Sequence, residues 1–468
     1  MRHWFSDLSP FRRDTLSFFT EMGRTSCEPL RRLNLGFAPV YLVTDPELTK
    51  PIFSAPEEEI DKGRLIYKLR EIMGDSSFTL SGPRHRERRA AMHAQLARGL
   101  ATSIAPSISA LLRRYAAALA TEPDFDAHRA TAPLALRIIS LLLFGPDALA
   151  PGDEALMVEA VNLIEDDLAA GIFQILPDLP WVRARKKRKL AEGTSMMHFV
   201  VERARRNAKR DSLIRALEEL QLSEKELNDE ILLLFLAGHH TSGTAMAWLL
   251  YFLSIDPALR DAIAHEAASI SDESGEINPQ LLARTPIATA AAREVLRLYP
   301  PAYWLSREVK KPTTIAGQRL PAGTSLLVSP WHMHRDPRFW TEPETFRLDR
   351  DHLRNPAWTP FGVGPRVCVG MGVAMLELQL LALEFAAAFD MEVKSEIPPS
   401  APTPRVTIVP PEIRIALKPR QTFAKSDLPS PETQSDGHEC PYASQVKHPA
   451  AARVGEQHHL GYEPTRLR

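Results

Sequence analysis

The run Phe361-Gly362-Val363-Gly364-Pro365-Arg366-Val367-Cys368-Val369-Gly370 concentrates the residue types that metal-centred chemistry needs. Its glycines permit tight turns and the close approach of a flat ligand to the backbone. Cys368 sits where a loop gives way to a helical pattern, so unpaired N–H groups and the helix dipole would favour its thiolate. A thiolate on iron pushes electron density toward an O–O bond. A lone cysteine before a helix is otherwise a small buried hydrophobe. Glu294 and Arg297 stand at i and i+3 and can bond directly, although such pairs on a surface contribute little. In Ala237-Gly238-His239-His240-Thr241-Ser242, Thr241 can return its hydroxyl to the Ala237 carbonyl and loosen the helix, with Gly238 easing the opening into a notch for O2 and water. By itself that segment also reads as a polar patch inside a core helix. His85 and Arg89, at i and i+4 in PRHRERR, share a helix face. Alone, they and Arg307 and Arg366 are ordinary surface residues, but the planar guanidinium fork suits carboxylates.

Together these segments resemble the cytochrome P450 family: F-x-x-G-x-R-x-C-x-G matches its cysteine loop at every defined position, and the likeness spans about residues 29 to 417. The resemblance implies a mainly α fold with a small β portion and a long central helix over a haem b. Cys368 would be the axial ligand and metal site, with Phe361, Gly370 and Ala237 against the cofactor. His85, Arg89, Arg307 and Arg366 would bind its propionates, and the remaining arginines near position 86 would face solvent or an acidic redox partner. Glu294 and Arg297 look like the family's structural E-x-x-R. Arg350, in Phe346-Arg347-Leu348-Asp349-Arg350, would complete that set, although the usual Pro-Glu-Arg-Phe wording is replaced by Leu-Asp-Arg-Asp. Thr241 matches the threonine that supports proton delivery at the iron. His240 stands where the family has an acid, and its imidazole can relay protons or mark altered chemistry such as oxidative coupling. Leu233, Leu236, Ala237, Tyr303, Trp304 and the loop at 63–80 would face substrate, though apolar residues there can equally be core.

The implied reaction inserts one oxygen atom from O2 into an apolar or amphipathic small molecule, terpenoid-like or fatty-acid-like. Electrons would come from a ferredoxin or flavodoxin with its reductase, because the chain is too short for a fused one. One rival reading keeps the fold but couples, desaturates or rearranges its substrate. The other is a non-catalytic helical binding protein.

The elements that must position these residues are legible as patterns. Ser223 and Glu226 have capping-box spacing and open a helix that runs to Ile255, where Asp256-Pro257 stops it. Such a helix is roughly 50 Å long, enough to cross a domain. Its stretch 231–255 lacks Asp, Glu, Lys and Arg, but AGHHTSGT at its centre argues for a buried core helix over a membrane span. Helical spacing marks 84–120, 127–144 and 151–222, with a break at Pro177 and Pro180. The basic runs 183–189 and 203–206 read as solvated faces. Another helix opens at Thr285-Pro286 and ends before Pro300-Pro301, and a last one follows Cys368. Residues 29–53 hold a β-prone pair, LRRLNLGFA and VYLVT, followed by a helix start at DPELTKPIF, and 306–330 read as β structure with turns at Ala316-Gly317 and Pro321-Ala322-Gly323.

With 468 residues, 44% of them hydrophobic, the chain can bury a large core, and a net charge of −1 gives no argument for nucleic acid. Cys27, Cys368 and Cys440 are odd in number and far apart, which speaks against a disulfide framework and for a reducing cytoplasm. No apolar run of signal or anchor length opens the chain. The expected division is an N-terminal segment 1–28, a haem domain 29–418 and a polar, proline-bearing tail 419–468 that reads as disordered.

Overall fold

A computed structural model describes residues 2–420 except Cys27, 98–103, Asp147, Pro151, 173–178, Asp211 and Pro398. The tail with Cys440 lies outside the described residues. The principal helices are α1 (Thr15–Arg24), α2 (Gly82–Ala97), α3 (Ala105–Leu119), α4 (Ala127–Phe144), α5 (Asp153–Ile172), α6 (Pro180–Asn207), α7 (Glu224–Ile255), α8 (Pro257–Ile270), α9 (Pro286–Leu298) and α10 (Met371–Ala388).

Helix α7 organises the core. Ser223 accepts from the Glu226 N–H while the Glu226 carboxylate accepts from the Ser223 N–H, so the expected capping box forms. Asp256 ends the helix and caps α8 through the Leu259 N–H. With no charged side chain after Glu230, α7 is apolar on every side, and it is buried almost all round. Helix α4 crosses it at close range. A Cβ on Gly243 would lie 2.9 Å from the Ala132 Cα, and the Thr131 hydroxyl donates to the Gly243 carbonyl at 2.7 Å. The Asp- and Lys-free helices α4 and α10 are long and apolar enough to cross a membrane, but both pack into this core.

A five-stranded sheet flanks the helices, with order β1 (Leu30–Leu33), β2 (Val40–Val43), β5 (Ser325–Val328), β4 (Leu305–Val309), β3 (Ile60–Asp61). β2 and β5 run parallel and the other neighbours antiparallel. The register sets Asp61 opposite Glu308, next to Arg307, so residues 246 positions apart in sequence share one sheet edge. Ala316, Gly317 and Gly323 take positive φ, as the turn signals required.

Residues 1–28 do not stand apart. Phe11, Phe18 and Phe19, from Leu8–Arg13 and α1, bury themselves against Tyr303, Leu327 and Trp331 in a cluster of their own. Trp331 also donates to the Thr20 hydroxyl at 3.1 Å. Pro180 is the first residue of α6, where its missing N–H costs nothing, in line with the expected break, and Pro177 lies outside the described residues. Within α6, Arg183, Arg185, Lys187 and Arg188 are exposed. Arg203 and Arg205 instead pair with Asp153, Glu218 and Glu224, so only the first basic run is a solvated face.

Candidate active site

The cysteine loop is a chain of tight turns. Gly362 and Gly364 have φ of 69° and 76°, and a Cβ on Gly364 would meet the Ser54 hydroxyl at 2.8 Å. The Cys368 N–H donates to the Phe361 carbonyl at 2.9 Å, which folds the loop back and presents the sulfur at its tip. Gly370 does not need its conformational freedom. Its φ is −86°, and a Cβ there would instead sit 3.8 Å from the Cys368 sulfur. Cys368 is exposed yet recessed. Burial pushes its thiol up, and the Gly370 N–H and the Arg89 charge only partly oppose this. Desolvation thus opposes the help that the helix start gives a thiolate at this position.

Beside the loop, basic groups from four elements converge. Arg89 on α2 donates to the Val367 carbonyl. Arg366 reaches Glu57, the Ser81 hydroxyl and the Leu80 carbonyl. Arg307 on β4 lies 3.8 Å over the Phe53 ring and donates to its neighbour's carbonyl, Ser306, at 2.8 Å. Burial, then Arg366, lowers it to about 10. His85, one turn before Arg89, is buried with no protein partner for Nδ1. Burial and the surrounding cations hold it down to about 3. Sequence reasoning missed Lys62, whose ammonium reaches the carbonyls of Ser77, Phe78 and Leu80 and is lowered to about 6 by burial and by Arg366. Only its place one residue after β3 could have pointed to it. A cavity of about 630 Å³ opens here, lined by Glu57, His85, Arg89, His93 and Pro365 among others.

Arg88 corrects the expectation that the other arginines of α2 face solvent. It is 2% exposed and bonds Glu226 and Glu230 of α7. Glu230 also accepts from the Ser77 N–H, and Asp229 from the Asp75 N–H. The 63–80 loop is thereby tied to the start of α7.

On α7, Thr241 donates to the Ala237 carbonyl at 2.6 Å, as expected, but the helix continues without a break. Ala237 is exposed and Thr241 half-exposed in the middle of an otherwise buried helix. Gly238 faces away: a Cβ there would lie 3.2 Å from Ile139 of α4, so its small size serves helix packing. Leu233 and Leu236 are buried in the main core. Tyr303 is buried in the N-terminal cluster, its hydroxyl donating to the Arg405 carbonyl at 3.0 Å, and Trp304 is half-buried against the same cluster. These positions give Tyr303 a packing role in place of the expected substrate contact. Glu377 on α10 was also missed. It engages the Ser242 hydroxyl, and burial pushes it up to about 8.

His239 is 2% exposed with neither ring nitrogen partnered by protein, and burial holds it down to about 3. Its folded pKa lies below the unfolded value of 6.5. The stability from keeping it neutral is thus complete above pH 6.5 and lost as pH falls toward 3. Melting temperature is expected to fall through this window, and His239→Leu to flatten the slope by about 1.4 kcal/mol per pH unit, one proton's worth. Equal slopes for both proteins between pH 6.5 and 4 would refute this.

Away from these groups, Glu294 and Arg297 form a fully buried bidentate pair at 2.7 and 2.8 Å. Arg350 reaches Glu294 at 3.0 Å, in the role expected of it. His352, which no pattern flagged, adds a contact at 2.8 Å. Burial alone would raise Glu294, but the Arg297 charge and these hydrogen bonds bring it to about 2.

A sequence model described as "Cytochrome P450" matches residues 6–417. The chain belongs to the cytochrome P450 family. The match begins at residue 6, so the first helices lie inside the P450 domain, in keeping with their packing. Cyclooctatin synthase of Streptomyces melanosporofaciens is 23% identical over 90% of this chain and 97% of that protein. Putative cytochrome P450 135B1 of Mycobacterium tuberculosis is 27% identical over 75% of each. Cytochrome P450 4X1 of Rattus norvegicus is 36% identical, but the alignment spans only 37% of this chain and 36% of the rat protein. Among solved structures, CYP175A1 from Thermus thermophillus superimposes with a TM-score of 0.72 at 24% identity, covering 90% of this chain and 99% of the other. That likeness shows the P450 fold, mainly α with a small β portion.

The residues present fit the haem that P450 proteins carry. Lys62, Arg89, Arg307 and Arg366 are four basic groups converging against the carboxylates of Glu57 and Asp61. Lys62, Arg89 and Arg307 are all lowered, the mark of buried cations with too little negative charge around them. Two propionates would supply that charge, and would give the His85 Nδ1 and the Arg307 fork their partners.

Proposed function

We propose that this chain is a haem-thiolate monooxygenase that inserts one oxygen atom from O2 into an apolar or amphipathic small molecule. Electrons would come from a separate ferredoxin or flavodoxin with its reductase, in the cytoplasm. The observation that carries the reading is Cys368, exposed at the tip of a loop beside the buried Lys62 and Arg307 and the half-buried Arg89 and Arg366. Haem b held there by Cys368 supplies the oxygen-activating chemistry. Arg307, Arg366, Arg89, Lys62 and His85 bind the propionates and fix the ring's orientation. Ala237 and Thr241 present an open stretch in the middle of α7. There the Thr241 hydroxyl can hold a water or pass a proton, with His240 beside it able to donate and accept. The buried apolar side chains of α7 and the 63–80 loop exclude water.

A terpenoid-like or fatty-acid-like substrate fits these surroundings. One relative is named for cyclooctatin synthesis, and a solved cyanobacterial relative, CYP120A1, is described as retinoic acid bound. Both names suit an apolar small-molecule pocket.

The reduced protein mixed with CO tests the haem-thiolate reading. A Soret band moved to about 450 nm is the thiolate signature expected. A band at the position of a histidine-ligated haem refutes it and favours the binding-protein reading. The imidazole at 240 favours a second reading, coupling or desaturation instead of insertion. His240→Asp is expected to raise product formed per NADPH. An unchanged ratio and product type would mean His240 has no part in proton delivery.

A further inference from the structure

His240 does not stand alone. His128, in the first turn of α4, lays its ring nearly parallel to that of His240, with centroids 6.3 Å apart and planes 27° apart. On the other side His239 meets His240 edge-on at 4.3 Å. Centroids this far apart leave the two imidazoles within reach of each other through one bridging water.

The His128 Nε2 is fully buried with no protein partner, and a buried polar group of this kind is ordinarily satisfied by ordered water. Burial, then His240, holds His128 down to about 4, so it is neutral at neutral pH and carries one donor and one acceptor nitrogen. The other charged groups facing it are Asp126, which pulls it up, and Arg405, which pulls it down. Asp126 is occupied in capping α4 and in accepting from the Ile413 N–H. His128, His240 and Thr241 are all half-buried and Arg405 is exposed, so His128 lies within reach of the protein exterior. Among the described residues no group of three His, Cys, Asp or Glu is arranged to hold a metal ion.

We infer that His128 is a proton-relay residue acting through His240, joined to it by a bridging water. As one His128 nitrogen takes a proton from the solvent side, the other gives one to the water, which gives one to His240, which gives one toward the Thr241 hydroxyl. Each imidazole ends neutral in its other tautomer, so no charge accumulates. This rests on the proposed role of His240 in proton delivery.

The test combines two measurements on the haem-loaded enzyme with a surrogate ferredoxin and reductase. A crystal structure that resolves ordered solvent is expected to show a water within hydrogen-bond reach of the His128 Nε2 and the His240 ring. His128→Phe is expected to lower product per NADPH roughly tenfold, with peroxide released in its place and a larger rate loss in D2O. Melting temperature and the CO spectrum should be unchanged. In a His240→Ala background it should have no further effect. If His240→Ala uncouples turnover and His128→Phe does not, the relay is overturned while the role of His240 stands. If neither variant uncouples, the role of His240 falls as well. A loss in His128→Phe that tracks melting temperature, or that adds fully to that of His240→Ala, also overturns the relay.

Discussion

Arg297→Leu is expected to lower stability by about 3–5 kcal/mol, the cost of removing one partner of a buried ion pair, even though Glu294 keeps Arg350 and His352. Both members of the pair are 0% exposed, so no water replaces what is lost. Arg297 donates not only to Glu294 but also to the carbonyls of His334, Pro343 and Thr345, at 2.7, 2.6 and 3.1 Å. Those carbonyls belong to the segment that leads from the sheet into the cysteine loop. Removing the guanidinium orphans those of His334 and Pro343, each at about 1–3 kcal/mol if water cannot enter, while the Thr345 carbonyl keeps its bond from Arg350. For this reason Glu294→Leu combined with Arg297→Leu is not expected to restore stability, although a simple buried ion pair can often be replaced by apolar residues. Thermal melts and the fraction of haem retained after purification would report the loss. A single variant that melts with the parent protein, or a double variant that recovers, would show that the pair does not hold the segment.

Cys368→Ser is expected to abolish the thiolate signature in the CO spectrum completely while leaving the apoprotein's melting temperature unchanged. The fold does not lean on the sulfur: the turn is closed by the backbone bond from Cys368 N–H to the Phe361 carbonyl, which serine keeps. Haem should still bind, because the proposed roles of Lys62, Arg89, Arg307 and Arg366 are toward its propionates and not its iron. Arg307→Leu should do the opposite, weakening haem retention while the bound fraction keeps its signature. A serine variant with an intact thiolate band would place the axial ligand elsewhere.

Local and short-range features were legible in the chain. Ser223 and Glu226 are three residues apart, so capping geometry follows from identity alone, and a 25-residue stretch without charge has to be buried. The cysteine loop, the Glu294–Arg297 pair and the Thr241–Ala237 bond are also contacts within one element or one turn. The degraded wording around Arg350 did not matter, because a guanidinium needs only reach and geometry to bond Glu294.

What escaped depended on which elements meet. Lys62 is one lysine among many until β3 pairs with β4 and brings it beside Arg307. Arg88 differs from its exposed neighbours only in the face of α2 that packs against α7. His352 and Glu377 acquire meaning from partners 58 and 135 residues away. His128 matters only because α4 crosses α7. Gly238 seemed to open a notch and proves to admit Ile139.

Residue type and local spacing were therefore enough for the family, the cysteine loop and the long central helix. Tertiary structure alone decided which charges are buried together and which imidazoles stack. Desolvation and pair geometry depend on side chains brought together from distant parts of the chain, and no spacing along it encodes them.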